Sequence, residues 1–291
     1  MILYEKPPSL LYEYSIGSSK EEFLALPRLV LETMGFKDSA ISETFENKAW
    51  SLKIFTEEKK KIEALKASFS RLKLPGIKIV SRSLKPNQWL TRWKTQWKPL
   101  SLTRKIDVVP FWYKGRYKTS KEVIFLDTLM SFGTGMHETT QLIAQLIEDN
   151  HQSLNSFLDI GTGTGILSLA AIKLGAKSVT AMDISPLSIE ATKSNFKVNG
   201  LKAKIVLGDI SRLPSKYKYQ MVAANLITDD LLKNRRKILS LVEPGGLLMV
   251  SGISLDNLKR LKQGFKDLPL TCKKVSTGKQ WAAILYVKKM S

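Results

Sequence analysis

The 291-residue sequence holds a single cysteine, Cys272, and only two histidines. One thiol cannot close an internal disulfide, and no cluster of His, Cys and carboxylates has metal-ligand spacing, so a disulfide scaffold and a metal centre are both unexpected. A lone thiol suits a reducing compartment. Long apolar runs are missing too. Stretches such as GGLLMVSGI at 245–253 fall far short of the roughly 18–20 residues of a membrane helix. The opening MILYEKPPSL has Glu5 and two prolines where an export signal would be apolar. The expectation is a soluble cytoplasmic chain with no membrane contact. Acidic residues are scarce relative to basic ones, 26 against 46, for a formal charge of +20. Such a field favours polyanions such as RNA or a ribosome surface, and a lysine-rich solvated surface explains it equally.

What is present suggests two domains, since domains run to roughly 100–200 residues. SLLYEYSI (9–16) alternates as a strand, and 19–35 reads as a helix capped by Ser19, stopped at Gly35 and kinked at Pro27. Two alternating runs meet around Asn47 as a hairpin. Ile62, Leu65, Phe69 and Leu72 have helical spacing, and GIKIVSR closes the set as a strand. Strand, helix, strand, strand, helix, strand is the ferredoxin-like split βαβ order, giving a small α+β domain over 1–83. In 84–99, Trp89, Trp93 and Trp97 lie four apart among Arg92, Lys94 and Lys98. This linker helix either clamps one domain to the next or stacks on nucleobases. Residues 100–127 read as two strands around the basic loop KGRYKTSK. Within 100–291, apolar strands at 156–160, 178–183, 203–209, 219–225 and 246–252 alternate with amphipathic stretches, predicting an α/β fold with a mostly parallel sheet.

In such sheets ligands sit at the carboxyl ends of the strands. There, Asp159 precedes Gly161, Thr162, Gly163, Thr164 and Gly165, which spells G-x-G-x-G and not the dinucleotide spacing G-x-G-x-x-G. Asp183 ends the second strand, where a carboxylate would accept from both ribose hydroxyls, and Asp209 ends the third, where one could accept from an adenine amine. Asp159 would repel a diphosphate and attract an ammonium group. An adenosine carrying an amino acid, S-adenosylmethionine, fits this row of acids. For each Asp the alternative is capping the helix that follows its strand.

The stretch DIGTGTGILSLAAIKLGAKSVTAMDISPLSIEATKSNFKVNG resembles the cofactor-binding half of class I methyltransferases. LDTLMSFGTGMHETT (126–140) resembles the hallmark of the PrmA family of ribosomal protein methyltransferases, usually a variant of L-D-P-x-x-A-F-G-T-G-x-H-x-T-T; NQWLTRWKTQWKPL and AANLITDDL resemble its linker and its motif after the fourth strand. The resemblance implies a Rossmann-like methyltransferase domain at 100–291 and a substrate-recognition domain at 1–83. It further implies that Phe132, Gly133, Thr134 and Gly135 lie over the cofactor, that Thr139 reaches its methionine part, and that Ile184 lines the site beside Asp183. The implied substrate is the large-subunit ribosomal protein L11, met by a monomer. Thr128, Ser131, Met136, Glu138 and Gln220 depart from the family pattern.

Asn225, Leu226 and Ile227 follow the fourth strand where amino-directed methyltransferases present their acceptor. The Asn225 oxygen and a nearby backbone carbonyl can take two hydrogens of an amine; Asn225 could instead tie up loop backbone. Leu226 and Ile227 replace the Pro-Pro-aromatic sequence of adenine methylases, which favours an aliphatic amine. His137 reads as a base or as a structural residue at a helix start. Methylation of rRNA, and a non-catalytic ribosome- or RNA-binding role, remain alternatives to lysine methylation.

Overall fold

The computed structural model describes residues 11–34, 41–46, 49–56, 58–72, 74, 76–84, 97–127, 135 and 137–290. The chain divides into two compact units, 1–97 and 98–291. Trp89 and Trp93 of the tryptophan stripe lie outside the described residues, and Trp97 is buried.

The first unit runs β1 (Leu11–Ser18), a 3-10 turn (Glu21–Leu24), α1 (Ala25–Thr33), β2 (Ile41–Glu46), β3 (Ala49–Thr56), α2 (Lys59–Leu72) and β4 (Ile77–Leu84). Its antiparallel sheet has the order β2-β3-β1-β4, the split βαβ arrangement. Alternation along β1 sends Tyr14 and Ile16 into a core with Leu52 and Ile54 of β3 and with Ile62, Leu65 and Phe69 of α2. Glu13 faces the other way. Arg82, its partner in register on β4, grips it with two hydrogen bonds of 2.7 and 2.9 Å. Where one helix kinked at Pro27 was expected, a 3-10 turn over Glu21–Leu24 gives way to an α-helix that begins only at Ala25. Proline then occupies the first turn, where it removes no intrahelical hydrogen bond.

The second unit opens with β5 (Leu100–Ser101), β6 (Ile106–Pro110) and β7 (Glu122–Leu126), with β6 and β7 parallel. Then come α3 (Glu138–Asp149), β8 (Ser156–Ile160), α4 (Ile166–Lys173), β9 (Ser178–Asp183), α5 (Pro186–Asn199), β10 (Lys204–Leu207), β11 (Tyr219–Asn225), α6 (Thr228–Ser240), β12 (Val242–Ser254), α7 (Leu258–Gly264), β13 (Leu270–Thr277) and β14 (Trp281–Lys288). The seven-stranded sheet has the order β10-β9-β8-β11-β12-β14-β13, parallel from β10 to β12 and antiparallel beyond. Strand order reverses between β8 and β11, which places the ligand crevice at their carboxyl ends. β13 is an edge strand whose Lys273 and Lys274 leave no apolar run to read, although such charges suit an edge that must not pair further. Among the described residues no helix is long and apolar enough to cross a membrane, and no group of His, Cys, Asp or Glu is placed to hold a metal ion.

Candidate functional site

Three left-handed glycines build the turn from β8 into α4: Gly161, Gly163 and Gly165, with φ of 73°, 56° and 81°. At Gly161 a Cβ would stand 2.6 Å from Leu226 Cδ2, and at Gly165 one would stand 3.1 Å from Thr192 Cγ2. Glycine here serves both conformation and close approach. Helix α5, capped by Ser185 and started by Pro186, holds the turn from the other side. Thr192 Oγ1 donates to the Gly163 carbonyl (2.9 Å) and Asn195 Nδ2 to that of Thr164 (2.8 Å). Neither residue stood out in the sequence, because a buried Thr or Asn inside an amphipathic helix reads as filler until its partner loop is known.

The three acids differ in their settings. Asp183 is partly buried; its Oδ2 accepts from Gly163 N–H (3.0 Å) and its Oδ1 from Ser185 N–H (2.9 Å), so it joins the glycine turn to the start of α5. Asp209 is exposed and caps the short turn Ile210–Arg212 through Ser211 N–H (2.8 Å), whose hydrogen bonds hold its carboxyl below the usual range. Capping, the alternative weighed for each acid, is thus realised there. Asp159 requires a correction, since it does not sit on an open rim. It is fully buried beneath the turn, its Oδ2 accepting from Thr162 Oγ1 (2.7 Å), Ser168 Oγ (2.7 Å) and Ser168 N–H (3.1 Å) in the first turn of α4. Its Oδ1 has no hydrogen-bond partner among the described residues.

Burial pushes the Asp159 carboxyl up to about 6, against the pull of its Thr162 and Ser168 hydrogen bonds and with a smaller push from Asp183. A folded-state value above the unfolded one means that the native protein holds this proton longer. Its penalty is therefore absent below about pH 4 and grows as pH rises through about 6. The expected outcome is that the ligand-free protein loses roughly 3 kcal/mol relative to Asp159→Asn between these limits, at about 1.4 kcal/mol per pH unit. Urea unfolding of both proteins across that range measures the difference; a flat difference would contradict it.

Asn225 closes β11, which lies between β8 and β12. Its Nδ2 donates to Thr139 Oγ1 (3.3 Å), and Thr139, buried in the first turn of α3, contacts His137 Nδ1 at 2.7 Å. His137 is the N-cap of α3, its Nδ1 accepting from Thr139 N–H (3.4 Å), and its ring meets Trp281 edge-on at 5.2 Å. Burial holds its pKa below the usual histidine range, opposed by the charge of Glu138. Glu138, one of the departures from the family pattern, accepts three backbone N–H groups, of Lys279 (2.6 Å), Gln280 (3.0 Å) and Trp281 (3.0 Å). These bonds, Gln280 and Lys279 foremost, keep its carboxyl below the ordinary range. A Cβ on Gly278 would overlap the Glu138 carboxyl, so a side chain there would push that carboxylate off the β13–β14 turn. Gln220, another departure, accepts from Asn155 N–H (2.7 Å), work that a carboxylate would do equally.

Leu226 leaves β11 against both Gly161 and Gly252, and its N–H donates to Ser251 O (3.1 Å). Gly252 (φ 85°) escaped the sequence reading; its only signal was a glycine inside a strand. Of the residues assigned to the cofactor loop, Phe132, Gly133 and Thr134 lie outside the described residues, as do Thr128, Ser131 and Met136, while Gly135 is buried with φ 82°. Apolar side chains stand exposed just past the strand ends: Ile184 (73% exposed) after β9, Ile227 (63%) after β11 and Leu255 after β12.

Residues 20–289 match the family model described as ribosomal protein L11 methyltransferase (PrmA). A protein of that name from Listeria innocua is 31% identical over 244 residues, 82% of this chain and 78% of its own; another, from Geobacter metallireducens, is 33% identical over 204 residues, 70% and 67% respectively. The crystal structure of a ribosomal protein L11 methylase from Lactobacillus delbrueckii subsp. bulgaricus superposes with a TM-score of 0.61 at 29% identity, covering 66% of this chain and all of that one. With its turn, strand order and hallmark residues, this chain belongs to the PrmA family of ribosomal protein L11 methyltransferases.

Proposed function

We propose that the chain methylates lysine amines of ribosomal protein L11 with S-adenosylmethionine as donor. The crevice suits that donor. The left-handed glycines of the turn let backbone approach a ligand closely, and the buried Asp159 braces that turn from beneath through Thr162 and Ser168. Asp183 holds the ribose hydroxyls with the lone pairs its two backbone hydrogen bonds leave over. Ile184 covers the adenine, Asp209 accepts from its amine, and Phe132, Gly133, Thr134 and Gly135 lie over the ligand as the family resemblance implies. Bound there, S-adenosylmethionine supplies a methyl group on a sulfonium, which a neutral amine can attack in line.

The observation that carries the reading is the Asn225 amide, fixed on Thr139 by its nitrogen with its oxygen turned to the opposite branch. That oxygen and a carbonyl beside Leu226 take two amine hydrogens and aim the nitrogen lone pair, a positioning effect able to supply several kcal/mol. A lysine near pKa 10.4 needs about 4.6 kcal/mol to be neutral at pH 7. A cationic neighbour and partial desolvation lower that requirement, so no side-chain base is needed.

The first unit grips the substrate protein, and the +20 charge favours docking beside rRNA in the cytoplasm. That charge also motivates the second reading, methylation of rRNA. The test is incubation with labelled S-adenosylmethionine and ribosomes from a strain lacking the enzyme. Label on L11 lysines is expected; label in rRNA would favour the second reading, and label in neither would remove both.

A further inference from the structure

The three-residue chain His137, Thr139, Asn225 has a polarity that one backbone group dictates. As N-cap of α3, His137 receives Thr139 N–H at Nδ1, so that nitrogen carries a lone pair and no proton. The 2.7 Å contact between Nδ1 and Thr139 Oγ1 is then a bond the hydroxyl donates. A threonine hydroxyl has a single hydrogen. With it committed to the imidazole, Oγ1 can only accept, so the group 3.3 Å away on Asn225 must be its NH2. The planar amide thereby points its oxygen the other way.

We propose that His137 is a positioning residue that, through Thr139, fixes which end of the Asn225 amide the incoming amine meets. This rests on Asn225 being the amine acceptor. Reversing the chain shows why the choice matters. With a proton on Nδ1, the imidazole would donate to Oγ1, the hydroxyl would turn to donate to Asn225, and the amide would rotate to present NH2. An amine that needs an acceptor would meet two donors. The pocket resists that reversal: His137 is partly buried and its ring meets the uncharged edge of Trp281. The nearby charge on its own helix is Glu138, engaged by three backbone N–H groups of the β13–β14 turn and offset by Lys279 on that turn.

The test compares His137→Ala with His137→Asn, because an asparagine oxygen can replace Nδ1 as acceptor from both Thr139 groups but does not titrate near neutrality. His137→Ala is expected to lower kcat about tenfold with KM for the donor unchanged, the loss of one orienting hydrogen bond. His137→Asn should restore most of it. In the wild type, log kcat against pH should steepen below the histidine transition, beneath the unit slope set by the substrate lysine; in His137→Asn the slope should stay at one. An Asn variant as slow as the Ala variant, or one that keeps the steep limb, overturns the proposal. A readout independent of turnover is 15N–1H correlation of the imidazole in the ligand-free protein, with His151 distinguished by His137→Asn. Protonation at Nε2 alone is expected, and a proton on Nδ1 overturns the proposal. Absence of any methylation by the wild type would instead count against the proposed function, leaving the tautomer measurement to decide this one.

Discussion

Asn225→Ala is expected to lower kcat on the order of 10²–10³-fold while changing the dissociation constant of S-adenosylmethionine by less than about threefold. On the proposed reading the two effects separate, because the amide, tied to Thr139, would meet the acceptor amine, whereas Asp183, tied to the glycine turn and the start of α5, would hold the donor. Asp183→Ala should give the reverse. Two hydrogen bonds from ribose hydroxyls to a carboxylate, at roughly 1.5–3 kcal/mol each, predict an affinity loss on the order of 10²–10⁴-fold. Some of that loss reflects the turn, since Gly163 N–H and Ser185 N–H lose their acceptor as well. Asp183→Asn keeps one acceptor oxygen and should fall between. Calorimetric titration of the donor, run beside single-turnover methylation of L11, separates the roles. Equal losses of affinity and turnover in Asn225→Ala would reject the division of labour.

Much of this arrangement was legible before any coordinates. Apolar runs five to seven residues long, each ending in or directly before Asp, Asn or Gly, announce buried parallel strands and mark their carboxyl ends, so β8, β9, β11 and β12 and the acids they carry could be placed. The first unit was equally readable, because alternation in β1 and β3 and the spacing of Ile62, Leu65 and Phe69 each match one period. What escaped depends on contacts between distant parts of the chain. A strand fixes that Asp159 points opposite to Leu158, but only the packing of α4 over the turn decides that the carboxylate is enclosed and not offered to solvent. Glu138 read as a departure from a motif until a hairpin more than a hundred residues away supplied three donors. β13 gave no signal because an exposed edge strand buries too little for hydrophobic periodicity to appear.

Gly252→Ala should damage catalysis as severely as loss of the amide itself, from a position that touches no substrate. The residue lies in β12 with φ 85°, and a Cβ there would stand 2.1 Å from the carbonyl oxygen of Leu226 and 2.7 Å from its carbonyl carbon. Neither is the end of a flexible side chain, so the backbone of residues 225–226 must move. It has little room, because Leu226 N–H is tied to Ser251 O and Ser251 Oγ donates to Ala282 O (2.8 Å) on β14. A displacement near 1 Å of an acceptor that aims a lone pair costs on the order of 10²-fold in rate. Left-handed strain adds about 1–2 kcal/mol of lost stability. Gly200→Ala provides the comparison: its φ is 66°, but a Cβ there meets nothing within 4 Å, so it carries the strain without the collision. Thermal unfolding should then show a loss in both variants, larger in Gly252→Ala, while methyl transfer falls only in Gly252→Ala and binding of the donor survives in each. If Gly252→Ala kept more than about a tenth of wild-type turnover, the Leu226 segment would not be the rigid shelf from which Asn225 acts.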